Sequence, residues 1–146
     1  MRPLELEVEG FTAFRERTTV DFRDAELFAL SGPTGAGKSS VIDAITFALY
    51  GSVARYGDRR LVSPLISQGR VEARVRLDFA IGETAYRVAR VVRATAKGAS
   101  TKEARLELLD GDGHEVENLA GDADAVSEAV GHLLGLTFEQ AAFEYL

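Results

Sequence analysis

The stretch Gly32-Pro33-Thr34-Gly35-Ala36-Gly37-Lys38-Ser39 decides how this chain is read. It matches G-x-x-x-x-G-K-[ST], the phosphate-binding P-loop or Walker A pattern. On its N-terminal side, Leu27-Phe28-Ala29-Leu30 is a short apolar run of the kind that forms a buried strand. On its C-terminal side, Val41, Ala44, Ile45, Ala48 and Leu49 recur at helical spacing, so a helix is expected from Ser39 to Tyr50. Gly32, Gly35 and Gly37 allow backbone conformations closed to other residues and bring N–H groups close to a polyphosphate. The helix N-terminus adds free donors and a partial positive charge. Lys38 is expected on the β- and γ-phosphates and the Ser39 hydroxyl on Mg²⁺. The pattern implies a nucleoside triphosphate site.

Bulk properties narrow the class. With 146 residues, 46% apolar and 27% charged, the chain has the size and balance of one soluble domain with a real core. No apolar run approaches the length of a membrane span, and Met1-Arg2-Pro3 leads into Glu5, Glu7 and Glu9 rather than a signal-peptide core. The absence of cysteine rules out disulfides and thiolate metal sites and fits a cytoplasmic location. The net charge of −6 is unevenly spread: residues 1–50 carry −3, residues 51–108 carry +6, and residues 109–146 carry −9 with no Lys or Arg. The basic middle is a candidate nucleic-acid patch, built from Arg55, Arg59, Arg60, Arg70, Arg74, Arg76, Arg87, Arg90, Arg93 and Lys97.

Periodicity organises the remainder. Leu4, Leu6 and Val8 alternate with Glu5, Glu7 and Glu9 as in a strand with one wet face. A bend is expected over residues 10–15 and a second strand from Thr18 to Phe22. Gly51 is placed to end the first helix. From Val71 to Ile81 apolar residues again alternate with charged ones. Tyr86 to Val92 reads as the returning strand, Ala96 to Thr101 as a loop, and Ala104 to Leu108 as a third strand before an Asp110–Gly113 turn. Asp122 and Asp124 open a helix that Gly135 closes, and Thr137-Phe138-Glu139-Gln140 opens another.

Other P-loop classes fit less well. A GTPase needs Asn-Lys-x-Asp, but the single asparagine, Asn118, is followed by Leu119; Asp110–Gly113 has D-x-x-G spacing but reads more simply as a turn. A small-molecule kinase would place helices and an arginine-rich lid after the P-loop helix, where this chain has strands. A free-standing ATP-binding module without turnover is the rival from another class.

A resemblance goes further. Leu6-Glu7-Val8-Glu9-Gly10-Phe11-Thr12-Ala13-Phe14, the segment Leu30 to Ser40, and Asp43-Ala44-Ile45-Thr46-Phe47-Ala48-Leu49-Tyr50-Gly51 resemble the N-terminus of the SbcC family. Ile66-Ser67-Gln68-Gly69 and Gly135 to Gln140 extend the likeness over nearly the whole chain. These are SMC-like, ABC-type ATPases of double-strand-break repair.

The resemblance implies an α/β P-loop lobe with a mixed central sheet, an added antiparallel β layer and C-terminal helices. Residues 1–146 would be the N-terminal half of a split head, with coiled coil and C-terminal lobe beyond. That lobe would bring the signature motif and Walker B carboxylates, which this stretch lacks, so no catalytic residue is assigned. Gly32, Thr34, Gly35, Ala36, Gly37, Lys38, Ser39 and Ser40 would bind ATP, with Ser39 on Mg²⁺. Ile66, Ser67 and Gln68 resemble a family segment that approaches the nucleotide. Implied partners are the C-terminal lobe, a second head, an SbcD-like nuclease and DNA contacted without sequence preference; no membrane is implied. Where some relatives place an arginine near the nucleotide, this chain has Thr12, with Arg15 three residues on.

Overall fold

A computed structural model of the chain describes residues 1–23, 38–53 and 63–136. Six strands form one sheet: β1 (Arg2–Glu9), β2 (Thr18–Asp21), β3 (Glu72–Ile81), β4 (Thr84–Thr95), β5 (Gly98–Leu109) and β6 (Glu115–Ala120), in the order β2-β1-β3-β4-β5-β6. Every pairing among them is antiparallel. The expected antiparallel layer is therefore continuous with the N-terminal strands. Leu27–Leu30, the buried strand expected before the P-loop, and the helix expected from Thr137 lie outside the described residues.

Register explains the core. Leu6 and Val8 on β1 stand beside Leu77 and Val75 on β3, which face Val88 and Arg90 on β4, and these face Leu106 and Ala104 on β5. Apart from Arg90, this inner face is apolar and buried under helices α1 (Lys38–Tyr50) and α2 (Ala123–Leu134). Each fully buried aliphatic or aromatic side chain contributes about 1.5–3 kcal/mol. Among the described residues no helix is long and apolar enough to cross a membrane.

The helix ends follow their caps. The Asp122 side chain accepts from the Ala125 N–H, and Gly135 closes α2 in the left-handed conformation at φ 68°. Gly51, at φ 71°, donates its N–H to the Phe47 carbonyl and ends α1 as expected.

Four expectations change. Val71 precedes β3 and is 71% exposed rather than joining the apolar face. The loop expected from Ala96 to Thr101 shrinks to a two-residue turn, because β5 starts at Gly98 and pairs Thr95 with Gly98. Strand β6 has no counterpart in the pattern; its residues are mostly exposed, so no alternation marks them. Arg90 leaves the basic patch altogether: register puts it on the inner face, 1% exposed.

Candidate nucleotide site

Helix α1 begins at Lys38, where the P-loop pattern requires a helix to start. Gly32, Thr34, Gly35, Ala36 and Gly37 lie outside the described residues, and of Lys38 and Ser39 only the helical backbone is described. Ser40 is buried in the first turn, and Asp43 is buried one turn further on. The first turn of α1 carries no acidic residue. Helix α2 is built the other way, with Asp122 filling its N-terminal donors and Asp124 in the first turn. Of these two helices, α1 is the one whose N-terminus suits an anion.

The Ile66–Gln68 stretch is locked to the bend after β1. Phe11 bridges both Phe14 and Ile66 through its backbone, and its ring lies 5.6 Å from that of Phe47 on α1. Ser67, buried, donates its N–H to the Gly10 carbonyl at 2.7 Å and its hydroxyl to the Thr12 carbonyl at 2.8 Å. The Thr12 N–H donates to the Leu65 carbonyl at 2.8 Å. These bonds hold Thr12 at φ 46°, a conformation that a β-branched residue adopts only when its surroundings over-determine it. Gln68 has an exposed side chain; its carbonyl accepts from the Arg15 guanidinium. The Arg15 carbonyl in turn accepts from Arg70 at 2.6 Å. Arg15 thus ties the Gln68 main chain and the Arg70 side chain to the bend. Phe11 is not among the site residues expected from the motifs, although its place inside the matched Leu6–Phe14 segment is the available signal.

The other end of α1 is enclosed. Ala48, Leu49 and Tyr50 are buried, so their carbonyls need protein donors. Arg90 donates from Nε to the Ala48 carbonyl at 2.8 Å and from Nη2 to the Leu49 carbonyl at 3.0 Å. Its Nη2 also reaches Ser127 Oγ at 3.0 Å, and its Nη1 the Ala123 carbonyl at 3.4 Å, both on α2. Ser127 Oγ donates to the Tyr50 carbonyl at 3.0 Å. With the Gly51–Phe47 bond, all four terminal carbonyls of α1 are satisfied. Burial pulls the Arg90 pKa down to about 10, opposed by the charge of Asp124.

The outer face of the sheet is an ionic lattice. Arg76 meets Glu5 at 2.6 Å and Glu7 at 3.5 Å, while Arg87 makes two bonds to buried Asp78, at 2.7 and 2.9 Å. That hydrogen bond, against the cost of burial, holds the charge on Arg87 more firmly. Glu72 is shared by Arg74 at 2.9 Å, Arg93 at 3.0 Å and Lys102 at 3.7 Å. Burial pushes the Glu72 carboxyl up, but hydrogen bonds from Arg74 and Arg93 outweigh it and hold its pKa below the usual range. A depression on this face is lined by Glu7, Arg74, Arg76, Lys102, Glu103 and Arg105, both signs together. Arg55, Arg59 and Arg60 lie outside the described residues.

The remaining candidates resolve as ordinary turns. Asp110 accepts from the N–H groups of Asp112 and His114, which pull its pKa down, and Gly113 takes φ 84°. Asp110, Asp112 and His114 stand close enough together to hold a cation, but all three are exposed. His132 is likewise on the surface of α2.

A family model described as AAA domain matches residues 5–132. The chain belongs to this AAA domain family. The chain is 45% identical over 139 residues to the SbcC subunit of the SbcCD nuclease of Deinococcus radiodurans, covering 95% of this chain and 15% of that protein. It is 48% identical over 93 residues to "Probable DNA double-strand break repair Rad50 ATPase" of Aquifex aeolicus, covering 64% of this chain and 10% of that protein. The resemblance to SbcC read from the motifs therefore holds, and the chain spans a small fraction of the length of these relatives. A solved structure titled "Structural biochemistry of ATP-driven dimerization and DNA stimulated activation of SMC ATPases" superposes with a TM-score of 0.62 at 21% identity, over 94% of this chain and 81% of that one. The fold is that of an SMC-type ATPase lobe.

Proposed function

We propose that the chain is the N-terminal, ATP-binding lobe of an SbcC-like DNA repair ATPase, half of a split head. The observation that carries this is a helix described from Lys38 onward, with an acid-free first turn, directly after the P-loop pattern. Gly32, Thr34, Gly35, Ala36, Gly37, Lys38, Ser39 and Ser40 would hold the ATP phosphates, with Lys38 on the β/γ oxygens and the Ser39 hydroxyl on Mg²⁺. The metal would neutralise charge on the transferred phosphoryl group. Ile66, Ser67 and Gln68 would border the site, held there by the bend after β1. The relatives do not favour a free-standing module or a small-molecule kinase.

Turnover would require the C-terminal lobe and a second head, since the sequence carries no Walker B glutamate or signature motif to position a water. An SbcD-like nuclease is the further partner in this reading, and the cytoplasm its compartment. Phosphate-directed, sequence-independent DNA contact fits best where Arg74, Arg93 and Lys102 share the single carboxylate of Glu72, leaving positive excess. Arg76 and Arg87 are matched by carboxylates on the neighbouring strands. The deciding experiment is calorimetric titration of the chain and of Lys38→Ala with MgATP. The parent should bind and Lys38→Ala should lose most of the affinity while melting at the parent's temperature. Equal affinities would refute the site.

A further inference from the structure

Arg90 is a buried cation whose described hydrogen bonds all go to neutral oxygens: carbonyls at the C-terminal end of α1 and, on α2, one carbonyl and one hydroxyl. Burying a guanidinium without a bonded carboxylate costs several kcal/mol, so capping alone is a poor reason for it. What this residue adds is rigidity. A planar fork of donors fixes two helices and a strand to one another in one geometry. Gly51 leaves room for it, since a Cβ there would lie 2.9 Å from Arg90 Nη1. Helix α1 has 13 residues and is about 20 Å long, with the fork at one end and Lys38 at the other. A helix held at its far end cannot tilt or slide, and its free end keeps one position against whatever it binds.

We propose that Arg90 is a positioning residue for the nucleotide site, acting through α1: it fixes the helix whose N-terminus receives the phosphates. This rests on the reading of the Lys38 end as that site. The same guanidinium reaches α2 at Ala123 and Ser127, and Ser127 in turn donates to the Tyr50 carbonyl, so this end of α1 is tied to α2.

The test is calorimetric MgATP titration of the chain and five variants, well below each melting temperature. Arg90→Met should weaken binding about tenfold, because a distant change that misplaces a positioned group is costly. Arg90→Lys, which keeps the charge but loses the fork, should fall between Arg90→Met and the parent. Val130→Ala, a cavity in the buried face of α2, should lower the melting temperature yet bind as the parent does. The proposal is overturned if folded Arg90→Met binds normally, or if Val130→Ala weakens binding equally for the same loss of melting temperature. Should Arg90→Met fail to fold, Arg90→Lys and Ser127→Ala decide: weakened binding supports the role, and parent affinity in both overturns it. Lys38→Ala separates the two levels. If it binds normally, the site itself is wrong; if it loses binding while the Arg90 variants keep it, only the positioning role falls.

Discussion

Arg76 and Leu77 are neighbours on β3, and Arg87 and Val88 are neighbours on β4, yet they live in different surroundings. Outward, Arg76 and Arg87 find carboxylates on the adjacent strands and stay partly wet. Inward, Leu77 and Val88 are fully buried against one another and the helices. Arg90 is the exception that sharpens the contrast, an arginine on the inner side that answers to carbonyls instead of carboxylates. The difference teaches that charge in this sheet is sorted by face. Among the described residues, the arginines of the basic block fall into matched ion pairs, the cluster around Glu72, and one internal clamp.

The contrast can be broken most sharply on β3 itself. Leu77→Ala should cost about 3 kcal/mol, from lost transfer energy and the cavity left behind. Arg76→Ala, one residue away, should cost about 1 kcal/mol or less, because Glu5 keeps Arg23 at 2.8 Å. Urea unfolding of both variants measures this, and equal losses would abolish the distinction between the faces. Asp78 tests the boundary. It points outward but is 2% exposed, so Asp78→Asn leaves Arg87 half-buried with only part of its compensation. A loss of about 2 kcal/mol is expected by the same assay, and a loss as small as that of Arg76→Ala would put Asp78 with the surface pairs.

The smallest effect comes from Glu72. Its folded pKa lies below its unfolded one, so its stabilisation is complete above the unfolded value of about 4.3 and is lost as pH falls through the folded value. Glu72→Gln should therefore melt slightly below the parent at pH 7, by under about 1 kcal/mol. Melts from pH 7 to pH 3 should show that gap closing at the acid end. A gap that stays constant would assign the loss to something other than the carboxylate.

Much of this was legible in the sequence, and the failures have physical causes. Strands β1 and β3 and helix α2 announce themselves because alternation or caps report a one-sided environment directly. The P-loop pattern implies a helix from Ser39, and the chain is helical from Lys38 to Tyr50. Arg90 could not be placed from its neighbours in sequence, since Val88-Ala89-Arg90-Val91-Val92 gives no clean alternation and an arginine argues for water. Only pairing with Val75 and Ala104 shows which side it takes. Strand β6 was invisible because an exposed edge has no buried face to write into its residues. The Phe11–Ile66 bridge joins segments more than fifty residues apart, information that local pattern does not hold.

The strand order also says which parts of the sheet depend on the rest of the chain to meet. Ile81 pairs with Thr84, and Thr95 with Gly98, so β3, β4 and β5 zip through tight turns. Glu9 pairs with Arg74, and everything between them must be brought round before β1 can dock. Closing that loop costs about 3 kcal/mol more chain entropy than closing a two-residue turn. The N-terminal hairpin is consequently the late and costly arrival in assembly, although it leaves the ribosome first, and the Phe11 bend that braces the Ile66–Gln68 stretch arrives with it.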